Sequence, residues 1–420
     1  MAIDRTKWWP RMDRVNSNDA GDGLEGVTCM VVHPGSELFG SDRMALESVR
    51  GLIAAGLRVI VALPDRGPLA LELERAGATT ALVPMLVARK SLLHPRSWLS
   101  SIFVALRSLT ATMRLLRRER PAVVYVSTIT IPLWPILARL GRARVISHVH
   151  EAEASGSGLI NALLYAPHLV ADEVLVNSRF SLATIQMSLP AVARRARVVY
   201  NGVIGPPAEG LPRMDVDELR VLYVGRLSPR KGVEDVVRAA HTLHARDVPV
   251  RVSLLGGVFS GYEWFEDDLR ALAAVVPDVP IDFLGFNPDI WEIIAEHDVL
   301  VVPSRVDEPF GNTAVEGILA RRIVVASDTS GLREAAGGYS TALLVPPSDP
   351  TALADALEQV RSRWTSLRSH LEASARQAQE KHSPVRYRTE VAAAVEKACR
   401  AGRAPKMISN AQQHSRKDRS

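Results

Sequence analysis

Cysteine and aromatic residues are scarce in this chain. Only two cysteines, Cys29 and Cys399, occur among the 420 residues, and their wide separation suggests neither a disulfide framework nor a clustered thiolate metal site. Aromatic residues make up 5% of the sequence, so we expect hydrophobic cores built mainly from Val, Leu, Ile and Ala. This composition is typical of a protein from a reducing compartment such as the cytoplasm.

Long apolar segments are missing as well. No run of 18 uncharged apolar residues, about the length of a membrane-spanning helix, occurs in the sequence. The N-terminal segment Met1–Gly26 is polar and has no apolar stretch of the kind that signal peptides carry. We therefore expect a cytoplasmic protein whose membrane contact, if there is any, is peripheral and at the inner face of the plasma membrane.

Positive charge is concentrated in one segment. Residues 85–121 contain eight Lys or Arg residues and a single acidic residue, Glu119. Part of this segment, Trp98–Arg118, has helical periodicity, with Arg107, Arg114 and Arg118 on one line. The opposite side of that helix carries Leu99, Ile102, Leu106, Leu109 and Met113. The helix is either packed on a core with a basic solvent face or a docking surface for an anionic membrane or a lipid-linked acceptor. Since no nucleic-acid-binding module accompanies it, we expect no nucleic-acid partner.

The length and the hydrophobic pattern predict two α/β domains. Short apolar runs alternate with longer amphipathic stretches, which is typical of parallel sheets built from βαβ units. The predicted strands of the first half are Val27–Val32, Arg58–Ala62, Val123–Val126, Val145–Val149, Glu173–Val176 and Val198–Tyr200. Those of the second half are Arg220–Val224, Val250–Leu255, Ile281–Leu284, Val299–Val302, Ile323–Ala326 and Ala342–Val345. Doubly wound sheets bind ligands at the carboxyl ends of their strands, so two such sheets predict a cleft between the domains.

Two glutamates eight residues apart mark the most informative segment, which runs from Val301 to Glu316. A predicted strand ends in Pro303-Ser304, a loop contains Glu308-Pro309-Phe310-Gly311, and a predicted helix contains Glu316. Gly311 permits close approach of a ligand, and free N–H groups at a helix start can bind hydroxyl or phosphate oxygens. The alternative for Glu316 is structural, because Thr313-Ala314-Val315-Glu316 reads as a capping box.

A second segment, Val221–Val233, leads from a predicted strand into a helix that we expect to begin with Ser228 as N-cap and Pro229 at its first position. Arg226 and Lys231 flank this helix start, where the helix dipole disfavours cations. Two cations at such a place indicate an anion-binding site. The alternative is that both are solvated surface charges.

Both segments resemble family 4 glycosyltransferases. The spacing of Glu308 and Glu316 is similar to the E-x7-E motif of that family, although Gly317 stands where the family usually has Ala, and Gly225-Arg226-Leu227 with Lys231-Gly232 is similar to its diphosphate-binding element. The resemblance implies that Glu308 contacts hydroxyls of the donor sugar, that Glu316 contacts the ribose, and that Arg226 and Lys231 bind and stabilise the leaving diphosphate. It also places Phe310, Gly311, Asn312 and Thr313 in the donor site.

The first half resembles the same family more weakly. A Gly-rich loop from Pro34 to Arg43 follows the first predicted strand, and the resemblance implies that Gly40 approaches the donor. A simple strand-to-helix turn is the alternative. The strand Arg144–Val149 ends in His148-Val149-His150, with both histidines on one face. The resemblance favours His150 as the histidine that contacts the donor sugar, and a purely structural histidine is the alternative.

The resemblance completes the predicted architecture. It implies the GT-B fold, in which two Rossmann-like, doubly wound parallel-sheet domains face an interdomain cleft. We predict a disordered tail at residues 1–26, an acceptor-side domain at 27–205, a linker at 206–218 and a nucleotide-sugar-binding domain at 219–380. A C-terminal helix at 381–402 is expected to pack back on the first domain, and a basic disordered tail follows at 403–420.

The predicted activity is transfer of a hexose-type sugar from a nucleotide diphosphate donor to a saccharide or lipid-linked acceptor, in the synthesis of a cell-envelope glycan or polysaccharide. The resemblance implies retention of configuration. No Asp-x-Asp motif is present to hold a metal ion, so we expect neither metal nor cofactor, with catalysis resting on Glu308, His150, Arg226 and Lys231. Two alternatives are a nucleotide-sugar epimerase of the same fold and a non-catalytic subunit that binds sugar nucleotides.

Overall fold

The computed structural model describes residues 24–88, 98–152, 158–208, 210–259, 261–287 and 289–403. Both predicted tails lie outside these ranges, apart from residues 24–26 and Arg403. Arg89, Lys90 and Arg96 of the basic segment also lie outside them.

The first domain is a seven-stranded parallel sheet in the order β3-β2-β1-β4-β5-β6-β7. Its strands are β1 Thr28–Val32, β2 Arg58–Leu63, β3 Thr79–Leu82, β4 Val123–Val126, β5 Arg144–Val149, β6 Glu173–Val176 and β7 Ala196–Val198. Its helices are α1 Gly40–Ala54, α2 Pro68–Arg75, α3 Trp98–Glu119, α4 Leu133–Leu140, α5 Gly158–Tyr165, α6 Arg179–Ser188 and α7 Pro190–Ala193. A 3₁₀ helix, Ala166–Val170, precedes β6.

The second domain is a six-stranded parallel sheet in the order β10-β9-β8-β11-β12-β13. Its strands are β8 Leu219–Val224, β9 Val250–Leu255, β10 Ile281–Gly285, β11 Val299–Val302, β12 Ile323–Ser327 and β13 Ala342–Val345. The helices are α8 Val233–His244, α9 Glu263–Ala273, α10 Trp291–Ala295, α11 Asn312–Leu319, α12 Ser330–Ala336, α13 Pro350–Ser362, α14 Trp364–Arg368 and α15 Leu371–Lys381. Both sheets reverse their strand order beside the first strand of the domain, which is where ligands bind in such folds.

Alternating side chains of the strands fill two cores, one on each face of a sheet. In β1, Cys29 and Val31 pack with α1 and α2 on one face, whereas Met30 and Val32 pack with α3 and α4 on the other. Because both faces are covered, the strands are apolar throughout, as expected of parallel strands. The two-domain, parallel-sheet fold predicted from the sequence is confirmed.

Two strand predictions were wrong. The sequence analysis omitted β3, whose residues Thr79-Thr80-Ala81-Leu82 are weakly apolar because the strand lies at the sheet edge. It also placed the last strand of the first domain at Val198–Tyr200, but β7 is Ala196–Val198. The pairing partner of β7 ends at Val176, which pairs with Val198, so the apolar residues Val199 and Tyr200 continue beyond the ladder.

The C-terminal helix α16, Pro384–Arg403, packs on α1 of the first domain. The Tyr387 hydroxyl lies 2.7 Å from Ser48 Oγ of α1, and the Arg388 guanidinium forms an ion pair at 2.6 Å with the buried carboxylate of Glu47. The chain therefore leaves the second domain after α15 and returns to the first, so that it passes between the domains twice.

Candidate functional site

The candidate site lies in the cleft between the carboxyl ends of the two sheets. Two adjoining cavities, of about 360 and 220 Å³, open there. The first domain contributes the segment after β1 and residues that follow β5 and β6, and the second contributes the segments after β8, β9, β10 and β11. The cleft predicted from two facing doubly wound sheets is therefore present.

Nearly all the residues predicted from the motifs surround the larger cavity. They are Gly40, His150, Arg226, Lys231, Glu308, Phe310, Gly311, Asn312 and Thr313. The remaining predicted residue, Glu316, lines the smaller cavity, which Gly40, Arg226, Asn312 and Thr313 also border. The structure thus brings residues of four separate segments into one place, and their chemical roles stay predictions.

Glu308 lies in the loop after β11 and is in close contact with Lys231, Ser304 and Gly331. Its Oε1 accepts hydrogen bonds of 2.6 Å from Lys231 Nζ and from Ser304 Oγ. Behind the loop, a Cβ on Gly331 would come within 1.9 Å of the Glu308 carbonyl oxygen, so that only glycine fits at the start of α12. Burial raises the pKa of Glu308, but Lys231 and Ser304 outweigh it and the pKa lies below its ordinary value. Glu308 is therefore an ionised acceptor at neutral pH.

The capping-box interpretation of Glu316 is wrong. Helix α11 begins at Asn312 with Gly311 as its N-cap, so Thr313 lies inside the first turn and does not cap the helix. Glu316 instead approaches Arg43 of the first domain, with 3.5 Å between its Oε1 and Arg43 Nη1. Burial raises the pKa of the Glu316 carboxyl, partly offset by Arg43. A buried carboxylate facing a cavity is available to accept hydrogen bonds from a ligand.

The helix predicted to begin at Ser228–Pro229 begins later in the structure, so this prediction was wrong. Pro229–Lys231 forms a single 3₁₀ turn, and α8 begins at Val233 after Gly232, which has φ 67°. Lys231 therefore precedes α8 and reaches the cavity from outside the helix. An anion that contacts Lys231 would also lie near the start of α8.

Arg226 lies among aromatic rings from both domains. Its guanidinium carbon is 3.3 Å from the centroid of the Phe259 ring and 5.1 Å from that of Phe39. Burial lowers its pKa from the ordinary value, although an arginine remains charged at neutral pH. A partly desolvated guanidinium in a cleft attracts anions more strongly than one in bulk water.

His150 faces the larger cavity, and His148 lies behind it. Their ring centroids are 4.0 Å apart, in agreement with the prediction that both lie on one face. The Tyr125 hydroxyl forms a hydrogen bond with His148 Nδ1. Burial, with a smaller contribution from His33, lowers the pKa of His150 to about 3. The imidazole of His150 is therefore neutral at pH 7 and can both donate and accept a hydrogen bond.

Direct hydrogen bonds hold the two domains together at the edge of the cleft. Ser178 Oγ donates to the carbonyl oxygen of Pro309 at 2.6 Å, and Asn201 Nδ2 donates to Asn312 Oδ1 at 2.8 Å. The carboxylate of Glu334 accepts from the Tyr200 hydroxyl at 2.7 Å and from Arg179 N at 2.9 Å. Asn177 and Asn201 also line the larger cavity.

The cavity residues that were absent from the predicted site set include Phe39, Arg43, Phe259 and Phe286. Phe259 and Phe286 follow β9 and β10, so the rule that ligands bind at carboxyl ends of strands could have identified them. Phe39 and Arg43 flank Gly40 in the segment after β1, but only the packing of the domains shows that they face Arg226 and Glu316.

Two further searches of the structure concern metals and membranes. Within the described ranges, no group of three His, Cys, Asp or Glu side chains is placed to hold a metal ion. None of the helices in the part of the chain that the structure covers is long and apolar enough to cross a bilayer.

Several known proteins are similar in sequence to part of this chain. The chain is 29% identical to glycogen synthase of Mycobacterium tuberculosis over 258 residues, which is 58% of this chain and 61% of that protein. It is 32% identical to D-inositol 3-phosphate glycosyltransferase of Corynebacterium urealyticum over 212 residues, 46% of this chain and 49% of the relative. The matches therefore span about half to three fifths of these relatives.

Solved structures share the fold. HepE from Anabaena in complex with UDP-glucose superposes with a TM-score of 0.72 at 18% identity, covering 88% of this chain and 99% of that one. Since the identity is low, this likeness shows the GT-B fold and no more.

Two family models cover most of the described chain. Residues 40–204 match Glycosyltransferase Family 4, and residues 212–378 match Glycosyl transferases group 1. The two matches adjoin in the order of the two sheets, and together they show that this chain belongs to the family 4, group 1 glycosyltransferases.

Proposed function

We propose that this chain transfers a hexose-type sugar from a nucleotide diphosphate donor to a saccharide or lipid-linked acceptor, with retention of configuration and without a metal ion. The product would belong to a cell-envelope glycan or polysaccharide. The observation that carries the proposal is the convergence of Arg226, Lys231, Glu308 and Glu316 from one domain on Gly40 and His150 of the other. The names of the relatives and the UDP-glucose bound to HepE support a nucleotide-sugar donor.

In the proposed reaction, the charged side chains of the cleft act one after another. The pair between Lys231 and Glu308 can open so that Lys231 binds the diphosphate and Glu308 accepts hydrogen bonds from sugar hydroxyls. Negative charge grows on the diphosphate as the glycosidic bond breaks, and Arg226 and Lys231 would stabilise it there. Neutral His150 would contact the sugar, and Glu316 the ribose. In the retaining reaction the acceptor attacks from the side of the leaving diphosphate, which takes its proton.

The test uses UDP-glucose as the donor probe, because a structural neighbour binds it. We expect UDP to raise the melting temperature of the protein, UDP-glucose to be turned over with release of UDP, and the product to keep the α-anomeric configuration by NMR. EDTA should leave the rate unchanged. Lys231→Ala should lower kcat by roughly ten- to a hundred-fold, because a charge-assisted hydrogen bond contributes about 1.5–3 kcal/mol.

Two outcomes would favour the alternatives. Conversion of UDP-glucose to an isomeric sugar nucleotide without release of UDP would indicate an epimerase. A rise in melting temperature with UDP but no turnover with any acceptor would indicate a binding subunit. Metal-reversible loss of activity in EDTA would contradict the role proposed for Arg226 and Lys231.

We also propose that α3 binds an anionic membrane surface, which would bring the cleft to a lipid-linked acceptor. Arg107, Arg114 and Arg118 are exposed, as predicted. The predicted apolar side of the helix was partly wrong, because Leu106 and Leu109, which were expected there, are 57% and 38% exposed. Phe103, which was not part of that prediction, is 59% exposed. Ser108, Thr112, Leu115 and Leu116 form the buried side instead. The outer face thus combines apolar side chains with cations, the combination that favours the interface of an anionic bilayer.

Neighbouring elements extend this surface. Helix α4, which packs on α3, exposes Ile136 and Leu140, and α5 exposes Leu159 and Leu163. Both α4 and α5 pack on the 3₁₀ helix Ala166–Val170, so the exposed apolar side chains belong to adjoining elements of the first domain.

A further inference from the structure

Phe39 lies between the two domains, although the sequence analysis gave it no role within the Gly-rich loop from Pro34 to Arg43. It is the last residue before α1, and its ring lines both cavities. The ring centroid is 6.0 Å from that of Phe286, in an edge-to-face arrangement, and 5.1 Å from the guanidinium carbon of Arg226. Phe286 and Arg226 both belong to the second domain, so Phe39 makes its ring contacts across the cleft.

A buried network fixes the backbone that carries Phe39. Asp42 Oδ2 accepts a hydrogen bond of 3.0 Å from Phe39 N, and Asp42 Oδ1 lies 2.7 Å from His33 Nε2. The other ring nitrogen of His33 lies 2.6 Å from Ser127 Oγ. Asp42, His33 and Ser127 are each at most 4% exposed. The position of Phe39 is therefore set by the core of the first domain and not by a free surface loop.

Arg226 depends on such contacts for its direction. An arginine side chain has about 2 kcal/mol of rotamer entropy to lose when it is fixed in one direction. Contacts with the faces of aromatic rings hold a guanidinium without consuming its hydrogen-bond donors, which stay free for an anion. Phe259 supplies one ring from the second domain, and Phe39 supplies one from the first.

We propose that Phe39 is a positioning residue for Arg226, and that it aims the guanidinium at the diphosphate only while the two domains are closed. The inference rests on the proposed function, since it assigns Arg226 to the leaving diphosphate. It makes the stabilisation of the leaving group conditional on domain closure, because the residue that holds the cation belongs to the opposite domain. Closure and leaving-group stabilisation would then occur together, when water has been excluded from the cleft.

The experiment is a double-mutant cycle on the full-length protein with Phe39→Ala, Arg226→Ala and the double variant. The readouts are kcat and KM with UDP-glucose and the Kd of UDP by titration calorimetry. A ring–guanidinium contact contributes about 1–2 kcal/mol where it is partly desolvated, so Phe39→Ala should lower kcat by about five- to thirty-fold. In the Arg226→Ala background the same change should have an effect of less than about twofold, because Phe39 acts through Arg226.

Two further variants separate positioning from folding. Phe39→Tyr keeps an aromatic face and should restore most of kcat, whereas Phe39→Leu, which keeps apolar volume, should not. Tyr262→Ala removes an exposed ring that lines neither cavity and serves as the matched control, with no expected change in kcat. Circular dichroism and melting temperature confirm that each variant is folded.

Either of two results would overturn the inference: additive losses in the double variant, or full kcat in folded Phe39→Ala. Failure of the proposed function itself would look different, because the parent protein would then neither bind UDP nor turn over UDP-glucose, and no cycle could be measured.

Discussion

At the scale of single residues, the two glutamates of the motif differ in their surroundings. Glu308 is paired with Lys231 and has a lowered pKa, whereas Glu316 is more deeply buried, lies 3.5 Å from Arg43 and has a raised pKa. Glu308 already has a cationic partner, whereas Glu316 faces the smaller cavity with little of its side chain exposed. Replacing each glutamate by alanine should therefore have different effects on UDP binding and on kcat.

We predict that Glu316→Ala weakens binding of UDP by roughly ten- to a hundred-fold, through loss of hydrogen bonds to a charged group of about 1.5–3 kcal/mol. Glu308→Ala should chiefly lower kcat with UDP-glucose and change the Kd of UDP by less than about threefold. Titration calorimetry and steady-state kinetics on folded variants measure both. Glu266→Ala, at a half-buried position on α9 that pairs with Arg270 and lies outside both cavities, is the control. If Glu316→Ala binds UDP with unchanged affinity, the proposed contact between Glu316 and the ribose is wrong.

At the scale of elements, α3 has the most unusual surface. A helix that packs on a sheet normally turns its large apolar side chains inward, yet here small polar Ser108 and Thr112 are buried while Phe103 and Leu106 face outward. Exposed apolar side chains on a cationic helix are unfavourable in water and favourable at an anionic lipid surface. The inner side of the helix packs on the core, and the outer face is the surface that we propose for the membrane.

We predict that the protein co-sediments with vesicles containing anionic phosphatidylglycerol and not with vesicles of neutral phosphatidylcholine. Replacing Arg107, Arg114 and Arg118 together by Gln should reduce the bound fraction strongly, because each cation near the surface contributes about 1 kcal/mol. Phe103→Ser with Leu106→Ser should reduce it as well while kcat with a soluble acceptor stays the same. The matched control is Arg238→Gln on α8 of the second domain, an exposed arginine away from α3. Equal sedimentation of the triple variant and its parent would rule out this surface.

At the scale of the whole molecule, several histidines are buried in uncharged form. Burial lowers the pKa of His150 to about 3 and that of His168 to about 4. The same cause, with repulsion by Lys381, lowers the pKa of His382 to about 3 at the crossing between the domains. The unfolded chain binds protons at these positions below about pH 6.5, whereas the folded protein does not. Their contribution to stability is therefore complete above pH 6.5 and is lost progressively as the pH falls toward 4.

We predict that the free energy of unfolding decreases between pH 6.5 and pH 4 and that His168→Gln makes this decrease shallower. Each histidine that protonates only on unfolding contributes a slope of up to about 1.4 kcal/mol per pH unit. Urea unfolding at a series of pH values measures the slope. His370→Gln, at an exposed position, is the control and should leave the slope unchanged. A slope for His168→Gln equal to that of the parent would show that acid instability has another source.

The sequence by itself determined the fold and predicted Arg226, Lys231, Glu308 and Glu316 as residues of the candidate site. Short apolar strands separated by amphipathic helices leave few arrangements other than a parallel sheet with helices on both faces. Such sheets bind ligands at the carboxyl ends of their strands. The motifs around Arg226, Lys231, Glu308 and Glu316 are local, so that a few neighbouring residues carry each of them. Local patterns of this kind are readable without the structure.

Only the tertiary structure decided what those residues contact. The pair between Lys231 and Glu308 joins segments 77 positions apart, and the approach of Arg43 to Glu316 and of Phe39 to Arg226 depends on how the two domains face each other. The buried side of α3 was misassigned for the same reason, because helical periodicity gives the angle between side chains but not which side meets the sheet. Contacts between distant segments depend on the packing of whole elements, and a local pattern contains no information about that packing.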